Sequence, residues 1–258
     1  MVASFRFLDL TLPSPVENLA LDEALLDDAE VEQRDPVVRV WESRRYFVVL
    51  GRSSSMTDDV HVGACREDGI PILRRASGGG TVLQGPGCLC YAFVLPMNLH
   101  SHLHGIRSSN TFILSRLAEA LCRYQPGVMV QGISDLAIDG RKISGNAQRR
   151  TRNALLFHGT LLYRMQPGII ARYLRQPTRQ PDYRHGRRHD EFLRTIDAPV
   201  DDLRKAIADA WHADRELESW PIFRMPDAVA RVVERSPQAE HECASIARDA
   251  QEFSTIYE

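Results

Sequence analysis

Residues 134–162 read SDLAIDGRKISGNAQRRTRNALLFHGTLL, and the pattern of this stretch sets the fold class. SDLAIDGRKISG gives two strand arms around Asp139-Gly140, a dipeptide that readily takes the left-handed conformations of a tight hairpin turn. RNALLFHGTLLYRM follows as a long apolar strand. Upstream, SSNTFILSRLAEALCRY has helical period from about Asn110, and CLCYAFVLP (88–96) and PILRR (71–75) read as strands. A short helix is expected near Asp58 to Glu67. VVRVW (37–41) and YFVVLG (46–51) are expected to pair as a hairpin. Ser14-Pro15 supplies an N-cap and a proline at the first helical position, so a helix runs to about Glu32 with Leu19, Leu25 and Leu26 buried. Downstream, QPTRQPDYRHGRRH (176–189) is an aperiodic loop and VDDLRKAIADAWHA (200–213) a helix. PDAVARVVERS and AEHECASIARDAQEF are helical patterns separated by Pro237. Strands and helices mix without βαβ regularity. The expectation is α+β, with a mixed, largely antiparallel sheet flanked by helices. Residues 1–210 read as one catalytic-size domain and 211–258 as a short helical tail.

Composition narrows the function. The chain has 258 residues, 43% hydrophobic and 26% charged, with a formal charge of -2, which argues against a basic nucleic-acid wrapper. No apolar run approaches the roughly 18 residues of a membrane helix, and MVASFRFLDL lacks the basic and apolar regions of a secretory signal. Cytoplasmic residence is expected. Five cysteines, an odd number without a C-x-x-C, read as reduced thiols. Of 32 basic residues only Lys142 and Lys205 are lysine. Residues 141–190 hold twelve basic side chains against two acids, a cationic block suited to phosphates or an acidic partner.

Several residues carry the chemistry. Gly78, Gly79 and Gly80 follow a strand and allow backbone N–H groups to converge on an anion. Arg74 and Arg75 precede them, one expected to point inward and the other outward, with a guanidinium fork suited to carboxylate or phosphate. Lys142, in the second hairpin arm of a chain that otherwise favours arginine, suggests a need for a compact ammonium. His158 reads as a core histidine or a ligand contact, and Gly159 beside it suggests close backbone approach. Asp135 reads as a turn carboxylate or a contact for Mg²⁺ arriving with phosphates. His241, Glu242 and Cys243 are helix neighbours that do not converge on a metal.

RRASGGGTV, SDLAIDGRKISGNAQRR and FHGTLLY, preceded by NLALDEALL and VVRVWESRRYFVVLGR, together resemble the catalytic domain of the lipoate-protein ligase A family over roughly residues 16 to 175. The resemblance implies adenylation of lipoate by ATP and transfer of the acyl group to a lysine of an acceptor lipoyl domain or H-protein-like carrier. It assigns Arg75, Ser77 and Gly78 to Gly80 to the adenylate and carboxylate loop, Lys142 to the acyl carbonyl and α-phosphate, and His158 to the ligand. A separate accessory subunit is implied as well. Gln84 stands where the family has histidine, and Ser134 where it has asparagine. Related acyl-carrier transferases use a cysteine. At the two corresponding places this chain has VQGIS (130–134) and Pro177-Thr178. A non-catalytic lipoyl-binding protein is the alternative of a different class.

Overall fold

In a computed structural model, which describes residues 4–32 and 34–237, β1 (Arg6–Asp9) leads into α1 (Pro15–Val31), β2 (Val37–Trp41) and β3 (Phe47–Leu50). Next come α2 (Met56–Asp59), α3 (Val62–Glu67), β4 (Ile72–Arg74), β5 (Val82–Gln84), β6 (Cys88–Pro96) and α4 (Ile106–Cys122). The hairpin region supplies β7 (Met129–Gln131), β8 (Asp135–Ile138), β9 (Arg141–Arg150) and β10 (Ala154–Leu162). The chain continues through α5 (Pro167–Tyr173), α6 (His189–Phe192), α7 (Val200–Asp209), β11 (Arg215–Glu216) and α8 (Met225–Arg235). An eight-stranded sheet runs β11-β1-β2-β6-β10-β9-β8-β7, and a three-stranded sheet runs β4-β3-β5. The architecture is the expected α+β with a mixed, largely antiparallel sheet.

The Asp139-Gly140 turn forms as the dipeptide predicts, with both residues at positive φ, 50° and 67°. β10 runs antiparallel to both β9 and β6 along nearly its whole length. The expected hairpin between residues 37–41 and 46–51 does not form. β2 pairs with β1 and β6 in the large sheet, whereas β3 pairs with β4 and β5 in the small one. Both segments are apolar because each is buried in its own sheet, and burial cannot name the partner. The expected helix at 58–67 is two short ones, broken where Val60 pairs with Leu174. The second tail pattern lies outside the described residues.

Helix α1 starts at a full capping box: Glu17 N–H donates to Ser14 Oγ at 3.1 Å, and Ser14 N–H donates to Glu17 Oε2 at 2.9 Å. Leu19, Leu25 and Leu26 are buried as expected, but so is almost every other residue of the helix. It lies against the large sheet on one side and α8 on another. On the opposite face of the sheet, α4 and α7 cover a core in which Trp211 packs on Phe5 and Phe93. Residues 211–236 therefore share their packing with the body. Trp211 is in the core, β11 extends the sheet along β1, and α8 inserts Ala228 and Val232 beside Leu73.

One ion pair joins α1 to the sheet. Arg39 of β2 is fully buried and donates to Asp22 Oδ1 at 2.6 Å, to the carbonyl and side-chain oxygens of Asn18 at 2.8 Å each, and to Leu10 O. Removing one partner leaves a buried charge without its counterion. Asp22→Ala is expected to lower stability by about 3–5 kcal/mol in urea unfolding. The double variant Asp22→Leu/Arg39→Met, which buries no charge, should recover most of that loss.

Candidate functional site

A cavity of about 740 Å³ opens between the large sheet, the small sheet and the loop 176–189. Arg75, Gly79, Gly80, Asp135, Lys142 and His158 all line it. Residues expected from separate motifs thus meet in one place. Ser77 is 1% exposed and stands behind this surface, and Gly78 lies in the same turn.

The glycine loop curls around a guanidinium. Arg75 donates from Nη2 to Gly78 O at 2.6 Å and Gly80 O at 2.8 Å, and from Nε to Ser77 Oγ at 3.0 Å. Among the described residues no hydrogen bond uses the N–H groups of Gly78, Gly79 or Gly80, and no acidic side chain pairs with Arg75. Burial alone pushes the Arg75 pKa down to about 10, so it remains a cation at neutral pH. A buried positive charge beneath three spare N–H donors attracts an anion. Its fork is already spent on the loop, however, so it acts by field and by shaping the turn. The inward–outward expectation holds: Arg74 is half-buried and donates outward to the carbonyls of Gly51, Arg52 and Ser54.

Lys142 reaches across from β9. Its Nζ lies 2.8 Å from Asp135 Oδ1 on the neighbouring strand. The ammonium passes directly over Gly145: a Cβ there would lie 2.7 Å from Nζ and 2.8 Å from Cε. The second oxygen of Asp135 accepts from Tyr183 Oη at 2.8 Å, which ties the loop 176–189 to the hairpin. Burial, followed by the Asp135 charge, pushes the Tyr183 pKa up, so it stays a donor. With both oxygens engaged, Asp135 fits Mg²⁺ poorly unless it releases one partner, and among the described residues no three His, Cys, Asp or Glu side chains group as a metal site.

His158 is clasped from both sides. Its Nε2 is 2.6 Å from Ser77 Oγ, and its Nδ1 is 3.6 Å from Asp22 Oδ2, the acid that also binds Arg39. Asp22 and Arg39 were not singled out in the sequence, where NLALDEALL reads only as an apolar helix. The close approach expected at Gly159 is real, but it is made by protein: a Cβ would sit 1.9 Å from Asn146 Oδ1 and 2.7 Å from Tyr91 Oη. Gln84 is buried on β5 with its backbone in register with Phe47, and also borders the cavity.

The thiols offer little nucleophile. Cys65, Cys88, Cys90 and Cys122 are unpaired, and of these Cys90 alone borders the cavity. Burial, and then the adjacent Cys88 thiol, push the Cys90 pKa well up, which keeps it protonated. No helix among the described residues is long and apolar enough to cross a membrane. Of the loop arginines expected to face a partner, Arg184 is buried and Arg187 half-buried. They stack on Phe192 and exchange hydrogen bonds with each other's carbonyls, because the loop has little other core. Arg188 is exposed and pairs with Asp190.

The family model of the lipoyl protein ligase A/B catalytic domain matches residues 14–212. Lipoate-protein ligase LplJ of Bacillus subtilis is 30% identical over 151 residues, 58% of this chain and 43% of that protein. Octanoyltransferase LipM of Exiguobacterium is 28% identical over 171 residues, 57% of this chain and 62% of that protein. The chain spans about half the length of the curated lipoate-protein ligases it matches. Two solved structures share the fold. A bi-partite lipoate protein ligase from Thermoplasma acidophilum, described with its E2 lipoyl domain, has a TM-score of 0.74 at 20% identity, covering 88% of this chain and 91% of that one. A lipoate-protein ligase A bound with ATP has a TM-score of 0.72 at 19% identity, covering 88% and 93%. With the model spanning 14–212 and its motifs gathered around one cavity, the chain belongs to the lipoyl protein ligase A/B catalytic domain family.

Proposed function

We propose that this chain is an ATP-dependent lipoate-protein ligase that activates lipoate, or octanoate, as its adenylate and passes the acyl group to a lysine of an acceptor lipoyl domain. The observation that carries this reading is the pairing, across one cavity, of the ammonium of Lys142 with a buried Arg75 cation beneath unused glycine N–H groups. In the first step a carboxylate oxygen attacks the α-phosphorus of ATP, the bond to the β-phosphate oxygen breaks, and pyrophosphate leaves. In the second, a neutral acceptor amine attacks the acyl carbon, the carbon–oxygen bond to phosphate breaks, AMP leaves, and the amine gives up a proton. Negative charge builds on phosphoryl oxygens and then on the acyl oxygen. Lys142 and the glycine N–H groups are the donors that meet both charges. The apolar part of the cavity, which includes Leu19, Trp41 and Leu162, suits an acyl chain.

An octanoyl transfer, the activity in the name of the Exiguobacterium relative, would need a thiolate if it ran through a thiol nucleophile, and the described part of this cavity does not present one. The bi-partite organisation named for the Thermoplasma neighbour supports an accessory chain and a lipoyl-domain acceptor. The decisive experiment incubates the pure chain and a lipoyl domain with ATP, Mg²⁺ and lipoate, or with octanoyl-carrier protein and no ATP, with and without an accessory chain. The acceptor is then weighed by mass spectrometry. Acyl addition that requires ATP is expected. ATP-independent octanoylation that is lost on replacing Cys90 would overturn the reading.

Lys142→Arg should lose activity by about a hundredfold although charge is kept, since a planar fork places its donors differently from the compact ammonium that lies 2.8 Å from Asp135. Gly145→Ala should lose a similar factor, because the new methyl displaces the flexible end of Lys142, while thermal unfolding stays close to the parent. Lys205→Arg, an exposed position far along α7, should be silent. Parent-like adenylation in both site variants would reduce Lys142 to a structural partner of Asp135.

Acceptor docking should fall to the exposed arginines rather than to those packed on Phe192. Arg175 and Arg179 are exposed at the rim of the cavity. Neutralising Arg179 together with Arg188 should slow acyl transfer several-fold at low salt, with less effect near 1 M, where the screening length is roughly 3 Å. Pyrophosphate release should be nearly unchanged. Equal losses in both half-reactions would place these side chains in adenylation instead.

A further inference from the structure

We infer that Arg235 and Ser236, at the C-terminal end of α8 and outside the segment matched by the family, are positioning residues for the glycine loop. They hold β4, the strand that launches the loop, by its free edge. β4 lies at one edge of the small sheet, with β3 on its other side. Arg75 N–H turns inward to Leu50 O, so the backbone groups of Arg74 turn outward. Among the described residues no strand receives them. Arg74 N–H donates to Ser236 Oγ at 2.9 Å, and Arg235 Nε donates to Arg74 O at 2.9 Å. Both polar groups of one peptide residue are thus satisfied by consecutive residues of α8 and its cap.

This attachment leads straight to the site. The side chain of Arg74 gathers the carbonyls of Gly51, Arg52 and Ser54, with distances of 2.8 Å to Gly51 and Ser54. Gly51 supports the glycine loop from below: a Cβ at Gly51 would fall 2.0 Å from Gly79 O. Arg52 N–H donates to Ser77 O at 2.9 Å. Arg74 therefore stands between the tail, which fixes its backbone, and the Gly51–Ser54 turn, which its side chain fixes against Gly79. Ser236 is itself held, since its hydroxyl donates to Val232 O at 2.6 Å. Arg235 is anchored by Glu23 of α1. The helix is seated separately, through Ala228 and Val232 in the core, so its packing does not depend on the two polar contacts. Loss of those contacts frees the loop without removing the helix.

Loop order of this kind governs how strongly spare N–H groups and Lys142 grip an anion, because a loop that must be ordered on binding weakens affinity. The consequence for substrate rests on the proposed function; the consequence for loop order does not. Hydrogen exchange at the bonded amides of Arg52, which holds Ser77 O, and of Arg75, measured on the full chain without substrate, should be about fivefold to tenfold faster in Ser236→Ala, as expected for one lost hydrogen bond of about 1 kcal/mol. It should be faster again in Ser236→Ala/Arg235→Met and near the parent in Ser236→Thr, which keeps the hydroxyl. In the same variants KM for lipoate should rise by a similar factor with kcat within about twofold, and thermal unfolding should stay cooperative. Should the double variant fold poorly, Ser236→Ala against Ser236→Thr decides. Unchanged exchange at Arg52 and Arg75 in Ser236→Ala, or equal change in the threonine variant, would overturn the inference. A parent chain that bound neither ATP nor lipoate would count against the proposed function, and the exchange result would still decide the brace.

Discussion

The charge on Arg39 has to be answered inside the protein, and much of the structure is arranged around the answer. Its guanidinium is sealed between the large sheet and α1, where only Asp22 offers a counter-charge and Asn18 and Leu10 supply the remaining acceptors. A buried pair of this kind adds little net stability over an apolar pair, but it strongly penalises any register in which the partners do not meet. The pair therefore favours the rotation and height of α1 at which Asp22 and Asn18 meet Arg39. That placement aims the second oxygen of Asp22 at His158 on β10, two strands away from β2. One acid thus serves both the joint between α1 and the sheet and the flank of a cavity residue.

The same economy recurs around the cavity. Among the described residues Arg75 has no acid paired with it and is satisfied by carbonyl oxygens of the turn it organises, so it contributes a standing positive field. Lys142 does have an acid, and its side chain is a quarter exposed. An incoming anion can compete with Asp135 for the ammonium, whereas it cannot displace the carbonyls wrapped on Arg75 without unmaking the loop. One cation shapes and the other responds. Asp135 also holds Tyr183, so the hairpin carboxylate is shared between the ammonium and the loop that roofs the cavity.

Local signals were legible where they determine their own geometry. Asp139-Gly140 encodes its turn, Ser14-Pro15 its cap, and the three glycines their open loop, and each appears where the residues place it. Partnership between distant segments was not encoded locally. VVRVW and FVVL look alike because both are buried strands, yet they enter different sheets. β1 has only four residues and no turn signal, and it exists because β2 and β11 flank it in parallel. Arg184 and Arg187 read as surface charge because composition cannot reveal that Phe192 lies beneath them. Asp22 was hidden for the converse reason. An acid in an apolar helix looks like its wet face until Arg39 is known to lie opposite.

The rarity of lysine gains a physical meaning at Lys142. Arginine satisfies almost every other cationic need of this chain by spreading five donors over several acceptors, as Arg74 does on three carbonyls and Arg39 on four oxygens. Over Gly145 the ammonium has, among the described residues, one ionic partner, Asp135. The ammonium sits close enough to the backbone that even a methyl group would intrude, and its one anchoring carboxylate approaches from the neighbouring strand. A compact charge on a flexible stem can exchange Asp135 for the oxygen of an incoming anion. A guanidinium held flat by several bonds cannot do so without first losing them. The hairpin, the glycine at 145 and the lysine at 142 are therefore one requirement expressed at three positions.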